Sequence, residues 1–355
     1  MGKGNIRNSI CSCGSGKKYK KCCMLKENND LFAWRSGGGR FDIGSEEDQG
    51  ISAFVKVDGK FLCITRKNIH SIIMADTIDP KKTNPDIRHS QQHILQYGSD
   101  SPFVGRTLQQ ANLLFIEHSL PKNINIEKGL SISFSFLNEI ISLNDLKEKY
   151  NTEEILKNKN FQAKPAKDGS IHIPSITSLE QVTKIFISNA DHTIRLLIEL
   201  VQLFYPEIKN KGWEESLYEK LKKEQGETAD VSEFIKSFKY STSIIRKIRN
   251  SIEHPDKESL LTIENYRVTP QNILKNPSMF FQGKDIKLNE VLISEFMNST
   301  IENFIIIFEV LMAYLCNIHA EPFADEKRIV IETPVEQRQV NEKHVKFRYD
   351  ILWTS

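Results

Sequence analysis

Four of the chain's six cysteines fall within one short stretch, Cys11-Ser-Cys13-Gly-Ser-Gly-Lys-Lys-Tyr-Lys-Lys-Cys22-Cys23. Two cysteines one residue apart face two adjacent ones across a loop rich in Gly and Lys. A segment this small cannot bury a core of its own. It stays unfolded unless something that its thiols bind closes it. Gly14 and Gly16 supply the backbone freedom for a tight return, so that four thiolates converge on one ion. Zinc takes four sulfur ligands in a tetrahedron with arms of ~2.3 Å, and an all-cysteine shell leaves no open position for a substrate. One structural Zn2+ per chain is therefore expected on Cys11, Cys13, Cys22 and Cys23, with the ion supplying most of the local folding free energy. The alternatives are disulfide pairing, which a reducing compartment disfavours, and four unrelated thiols.

Length and charge frame the rest. A chain of 355 residues predicts two or three domains. With 39% hydrophobic and 26% charged residues, wholesale disorder and collagen-like repeats are excluded. The net charge is only +2, which excludes a globally basic nucleic-acid coat but leaves room for a local basic patch. No long apolar segment follows the start, and the cytoplasm is the expected location. The longest apolar run, Phe304 to Cys316, is interrupted by Glu309 and falls short of the ~20 residues of a membrane-spanning helix, so no span is expected.

The pattern along the chain is that of an α+β multidomain protein. Residues 1–30 form a short, basic, Cys-rich element, and the polar, Gly-rich residues 31–50 read as a flexible linker. Residues 51–170 read as a mixed α+β middle domain for sensing or target recognition. Asp58-Gly59 between two apolar stretches predicts a hairpin over 51–64. Helices are predicted over 106–120 and 144–156, and the alternation Leu130-Ser-Ile-Ser-Phe-Ser-Phe136 predicts a half-buried strand. A nucleotidyl- or phosphoryl-transfer enzyme in this region would need paired carboxylates holding a divalent ion; Asp76 and Asp79 lie close in sequence but without supporting context, which ranks that reading last.

Residues 171–320 read as a mainly helical bundle with a strand insert. Thr177 and Glu180 have the spacing of a capping box, opening a helix that ends before Pro206. A short helix is predicted at 213–221 and a long one over 230–253, then a strand at 261–268. The stretch 289–318 is apolar nearly all round, which marks a bundle centre or a subunit interface. Trp213, Phe280 and Phe281 either stack bases or pack in the core. The tail 321–355 reads as β, with strands at 328–332 and 345–351.

The cysteine stretch resembles the SEC-C motif, the zinc-binding tail of the SecA preprotein translocase ATPase, found also on many bacterial proteins. The resemblance covers residues 11–23 and implies the same four ligands, although the family often has His where Cys23 stands. In SecA the element docks the chaperone SecB and contacts ribosome or lipid, so the resemblance implies protein or ribosome docking. Lys17, Lys18, Lys20 and Lys21 either offset the charge of a zinc tetrathiolate or contact an acidic partner or phosphate.

A second pattern, Arg249-Asn250-Ser-Ile-Glu253-His254-Pro255, ends the second long helix of the bundle. Pro255 disfavours helical angles at His254, so the helix should stop there. On a continued helix Arg249 and His254 would lie about 140° apart, and termination frees His254 to turn back. The pattern is similar to the Arg-x4–6-His motif of the HEPN superfamily, with the polar Asn250 directly after Arg249. The resemblance implies a bundle that dimerises and, in many members, a metal-independent endoribonuclease of toxin–antitoxin and antiphage (abortive infection) systems. It implies that Arg249 holds the scissile phosphate, His254 is general acid or base, and Asn250 positions one of them. The 2′-hydroxyl of RNA would attack, leaving a 2′,3′-cyclic phosphate. Arg88 to His93 and Arg338 to His344 have similar spacing but lie in an irregular segment and in the β-like tail. The plainer alternative is that Arg249 and His254 cap the helix and pair with Glu253 or surface acids. Two readings stand side by side: a homodimeric RNA-cleaving effector, and a non-catalytic zinc-dependent adaptor that docks a chaperone, ribosome or nucleic acid.

Overall fold

The computed structural model describes residues 6–24, 50–161, 167–226, 229–255 and 258–352. The expected linker, apart from Gly50, lies outside the described residues. The class is mixed α and β, with a small cysteine element at the front and a helix-rich C-terminal region. The chain divides into two compact units, Met1–Ser99 and Asp100–Ser355. A boundary at 170 therefore falls inside the second unit.

In the first unit, strands β1 (Ile51–Val57), β2 (Lys60–Thr65), β3 (Ile69–Ile73) and β4 (Ser90–Leu95) pair antiparallel in chain order. Asp58 and Gly59 both carry positive φ, +48° and +74°, the geometry that a two-residue hairpin turn needs. Asp76 and Asp79 do not combine as an ion site. Asp79 accepts from the amides of Thr83 and Asn84 at 3.0 and 2.9 Å, while Asp76 meets Lys82 at 3.6 Å.

The second unit is built on long helices. A composite helix α1 runs over 102–114, with its middle stretch Gly105–Gln109 wound as a π-helix. Helices α2 (Ile126–Asn160), α3 (Leu179–Phe204), α4 (Trp213–Gln225), α5 (Ala229–Glu253) and α6 (Ile293–Ile318) follow. Helix α2 packs on α3, α3 on α5, and α6 on both α2 and α3. The bundle thus draws one long helix from upstream of residue 171.

Several expectations give way to longer-range packing. The strand expected at 130–136 is part of α2. Its buried positions, Leu130, Ser133, Leu137 and Ile140 among them, follow helical spacing, and Ser133 is satisfied by donating to the Gly129 carbonyl at 2.8 Å. Gly129 lies so close to the Phe115 ring that a Cβ would sit 2.8 Å from it. Helix α1 stops at Leu114 rather than 120. No capping box forms at Thr177. Ser178 precedes α3 in the left-handed region (φ +53°), Glu180 pairs with Lys184, and the Thr177 amide donates to Glu153. The helix expected over 289–318 starts only at Ile293; residues 289–292 belong instead to strand β9 (Lys287–Leu292) of a sheet ordered β5-β8-β9, where β5 is Leu260–Glu264 and β8 is Ser278–Gln282. Two short strands, β6 (Arg267–Val268) and β7 (Leu274–Lys275), pair beside it in the chain. Trp213 and Phe281 are core residues, Trp213 stacking on Phe238 at 5.5 Å.

Helix α6 is the centre of the unit. By length and composition it is apolar enough to cross a membrane, a longer apolar stretch than the run 304–316 alone, but 61% of its most apolar window is buried inside the protein. Phe308 stacks on Phe136 of α2 at 4.0 Å, and Phe296 meets Phe186 of α3 edge-on. The one acid in the apolar run has a partner on two sides. Glu309 accepts from Arg106 of the π-helical stretch at 3.0 Å and from Lys346 at 3.0 Å. Gln110 then receives the amides of Lys346 and Phe347 at 2.8 and 2.9 Å, which fastens the closing hairpin β10 (Lys327–Glu332) and β11 (Phe347–Leu352) to α1. The other Arg–His spacing in this unit is taken up structurally: Arg338 donates to the Thr333 carbonyl and His344 meets the Asp100 carbonyl.

Candidate metal centre and arginine cluster

The front element folds back on itself by a few backbone bonds. The Cys11 amide donates to Lys17 and the Tyr19 amide to Ser9, both at 2.8 Å. Between them Gly14 and Gly16 take φ of +78° and +68°, a region that side chains penalise. A single 3-10 turn, Tyr19–Lys21, then delivers Cys22 and Cys23. All four thiols lie within 4.8 Å of one another, Cys13 and Cys22 at 3.4 Å. A tetrahedron with ~2.3 Å arms has edges of about 3.8 Å, so the set fits a single tetrahedral ion. All six cysteines are free thiols, so the disulfide alternative is not taken up here. Among the described residues this is the one group of His, Cys, Asp or Glu side chains that can hold a metal.

The electrostatics of the four thiols are divided. Hydrogen bonds from Ser15 hold the Cys13 thiol down to about 6, and the Cys13 backbone lowers Cys11. Cys23 goes the other way, pushed up to about 12 by hydrogen bonds to Cys11 and Cys13 and by their negative charge. Four adjacent thiols cannot all ionise unaided, and a divalent cation removes that conflict. Lys17, Lys18, Lys20 and Lys21 are all exposed on the same loop.

The second candidate lies in the helical unit. Helix α5 ends at Glu253, just before Pro255, as the sequence predicts. Asn250 and His254 are exposed there, and Arg249 is half-buried. Arg249 does not project freely. Its Nη2 meets Glu253 at 2.7 Å, its Nη1 reaches Asn250 Oδ1 at 3.4 Å, and its Nε lies 3.7 Å from Asp191.

Asp191 on α3 is the residue that sequence reading passed over. Its side chain is only 6% exposed, yet three guanidinium groups surround it. Arg195, one turn on, meets it at 2.8 Å, and Arg246 of α5 approaches to 3.8 Å on the other carboxylate oxygen. Helical spacing explains the gathering. Asp191 and Arg195 stand four apart on α3, and Arg246, Arg249 and Glu253 follow at steps of three and four on α5. Packing of α3 on α5 joins the two stripes. His192 and Arg195, three apart on α3, are both exposed. The available signal was the pair Asp191/Arg195; nothing local showed that a second helix would add two more cations.

Residues 7–25 match the family model of the SEC-C motif. No curated protein and no solved structure matches the chain. The front of the protein is therefore a SEC-C element whose four cysteines can hold a metal ion.

Proposed function

We propose that the protein is a SEC-C protein carrying one structural zinc, and that its helical unit cleaves RNA as a homodimer. The observation that carries the enzymatic half is the end of α5. There an arginine anchored by a buried carboxylate, an exposed Asn250 and an exposed His254 all lie within the last turns before Pro255, and no side-chain contact links His254 to Arg249 among the described residues. The HEPN-like motif supplies the chemistry. Arg249 binds the scissile phosphate and stabilises charge on the pentacoordinate phosphorus. His254 transfers a proton as general acid or base, and Asn250 orients His254 or the phosphate. The 2′-oxygen bonds to phosphorus, the bond to the 5′-oxygen breaks, the 2′-hydroxyl proton leaves to a base and the 5′-oxygen gains one. The products are a 2′,3′-cyclic phosphate and a 5′-hydroxyl. The zinc, when bound, holds the front loop folded as a docking element for a protein or ribosome partner. A toxin or antiphage role in the cytoplasm is consistent with that activity and rests on family resemblance.

Purified protein incubated with total RNA in chelator, beside Arg249→Ala and His254→Ala, tests this. Cleavage by the native chain that both variants lose by at least about a hundredfold is expected, with cyclic phosphate ends. Equal cleavage by all three, or none by any, refutes it.

A second reading has its own support. Glu253 and Asp191 both engage Arg249, the arrangement of a structural ion pair rather than a free phosphate ligand. On this reading the chain is an adaptor, and its zinc element docks a chaperone, ribosome or nucleic acid without chemistry. Inert protein in the RNA experiment, with a partner retained only by zinc-loaded chain, selects it.

A further inference from the structure

The cluster around Asp191 is larger than one catalytic arginine requires. Arg195, Arg246 and Arg249 bring three positive charges, against the two negative charges of Asp191 and Glu253. The excess is one positive charge in a region that helix packing holds together. The carboxylate at its base is buried, while the arginine side chains are 48%, 32% and 23% exposed. An anion from solvent can therefore reach the guanidiniums but not displace their anchor.

The bonds already made show which donors are left. Arg246 turns its Nε towards Asp191 and gives Nη1 to the Asn210 carbonyl at 2.9 Å. Arg195 spends Nε and Nη2 on Asp191. Among the described residues nothing engages Nη1 of Arg195 or Nη2 of Arg246. On Arg249, Glu253 is a half-exposed carboxylate at 2.7 Å, so its oxygens stand where phosphate oxygens would. Guanidinium groups match phosphate by charge and by planar paired donors.

We infer that Arg195 and Arg246 form a second phosphate subsite beside Arg249, which grips the backbone of single-stranded RNA next to the bond that is cut, with Glu253 holding the place of one phosphate in the free protein. The choice of RNA rests on the ribonuclease reading; the anion subsite itself does not. Asp191 anchors the subsite, and Glu253 sets a cost for entry that any phosphate must overcome.

The test uses the full chain and a 2′-O-methyl oligoribonucleotide, which cannot be cleaved, followed by fluorescence anisotropy across a salt series. Arg195→Ala and Arg246→Ala are each expected to weaken binding about tenfold and to lower the salt slope by about one. Glu253→Gln is expected to tighten binding several-fold. Lys284→Ala, at an exposed strand turn, should bind as the native chain does. Native-like affinity and salt slope in both arginine variants overturn the subsite, as does absence of binding by the native chain. A DNA oligonucleotide of the same length serves as a second arm; equal arginine-dependent affinity for it assigns the contact to phosphate rather than ribose. The two proposals fail separately. Arginine-dependent binding without cleavage of natural RNA removes the ribonuclease and keeps the subsite. Cleavage with unchanged KM in Arg195→Ala and Arg246→Ala does the reverse.

Discussion

The cysteine element and the arginine cluster solve the same electrostatic problem by opposite routes. Each crowds like-charged groups: four thiols within 4.8 Å in one, three guanidiniums around one carboxylate in the other. The cysteine element has almost no core, only Cys11 being buried among its ligands, so a bound cation must supply the stability. The arginine cluster sits on helices whose packing already fixes it, and an anion there is a ligand rather than a fold-maker. Local crowding without a core implies a structural ion; crowding on a packed scaffold implies a binding site.

That contrast breaks or holds under measurement. The largest effect belongs to the metal. Structural zinc in such small elements contributes on the order of 10 kcal/mol to their folding, so Cys22→Ser should take zinc from about one per chain to near none. Far-UV circular dichroism of the long helices should not change. Loss of the helical signal on zinc removal would show that the element is not self-contained. The pH dependence has a definite sign. With its thiol held down to about 6, Cys13 is already ionised at neutral pH, whereas Cys23, pushed up to about 12, must give up its proton to solvent as it binds the ion. Zinc binding near pH 7.5 should therefore release protons, and affinity should fall as pH drops, more steeply below about 6. Calorimetry in buffers of different ionisation enthalpy reads this; no proton release would contradict it.

Next in size is the buried ion pair at the centre of the helical unit. Glu309 is 1% exposed and bonded to Arg106 and Lys346, so Glu309→Ala removes the buried carboxylate they share and leaves Arg106 with Glu302 alone. A loss of about 3–5 kcal/mol in urea unfolding is expected, with zinc content unaltered. A smaller loss, of about 1–3 kcal/mol, should follow Asp191→Asn, which leaves three guanidiniums without their shared carboxylate. Added salt should restore part of that loss by screening the like charges. A variant destabilised further by salt would mean that Asp191 acts through packing, not charge. The smallest effect is expected from Gly14→Ala. A side chain at φ +78° costs about 1–2 kcal/mol, or roughly tenfold in zinc affinity.

Much of the local structure could be read residue by residue. Asp58-Gly59 marked its hairpin, Pro206 and Pro255 marked helix ends, and the nearly all-apolar 289–318 announced a central helix that starts four residues later, at Ile293. The failures share a cause. Leu130 to Phe136 alternates like a strand, yet it is helix because α3 and α6 bury a helical stripe of it, small Ser133 included. Lys287–Leu292 has helix-compatible composition, yet it is strand because β8 offers it a pairing edge. The capping box at Thr177 had correct spacing, but Glu153 on α2 took the amide. In each case a partner distant in the chain outweighed a local preference of a few tenths to about 1 kcal/mol.

The meeting of Cys11, Cys13, Cys22 and Cys23 was determined by the sequence alone, because the groups are separated by one short loop and two glycines turn it. Only the tertiary structure decided that Asp191 and Arg195 would be joined by Arg246 and Arg249, because those pairs lie more than fifty residues apart and meet through the packing of α3 on α5. Attraction between charged side chains is too weak and too screened in water to choose a fold. The apolar faces bring the helices together, and the charges meet where that packing leaves them.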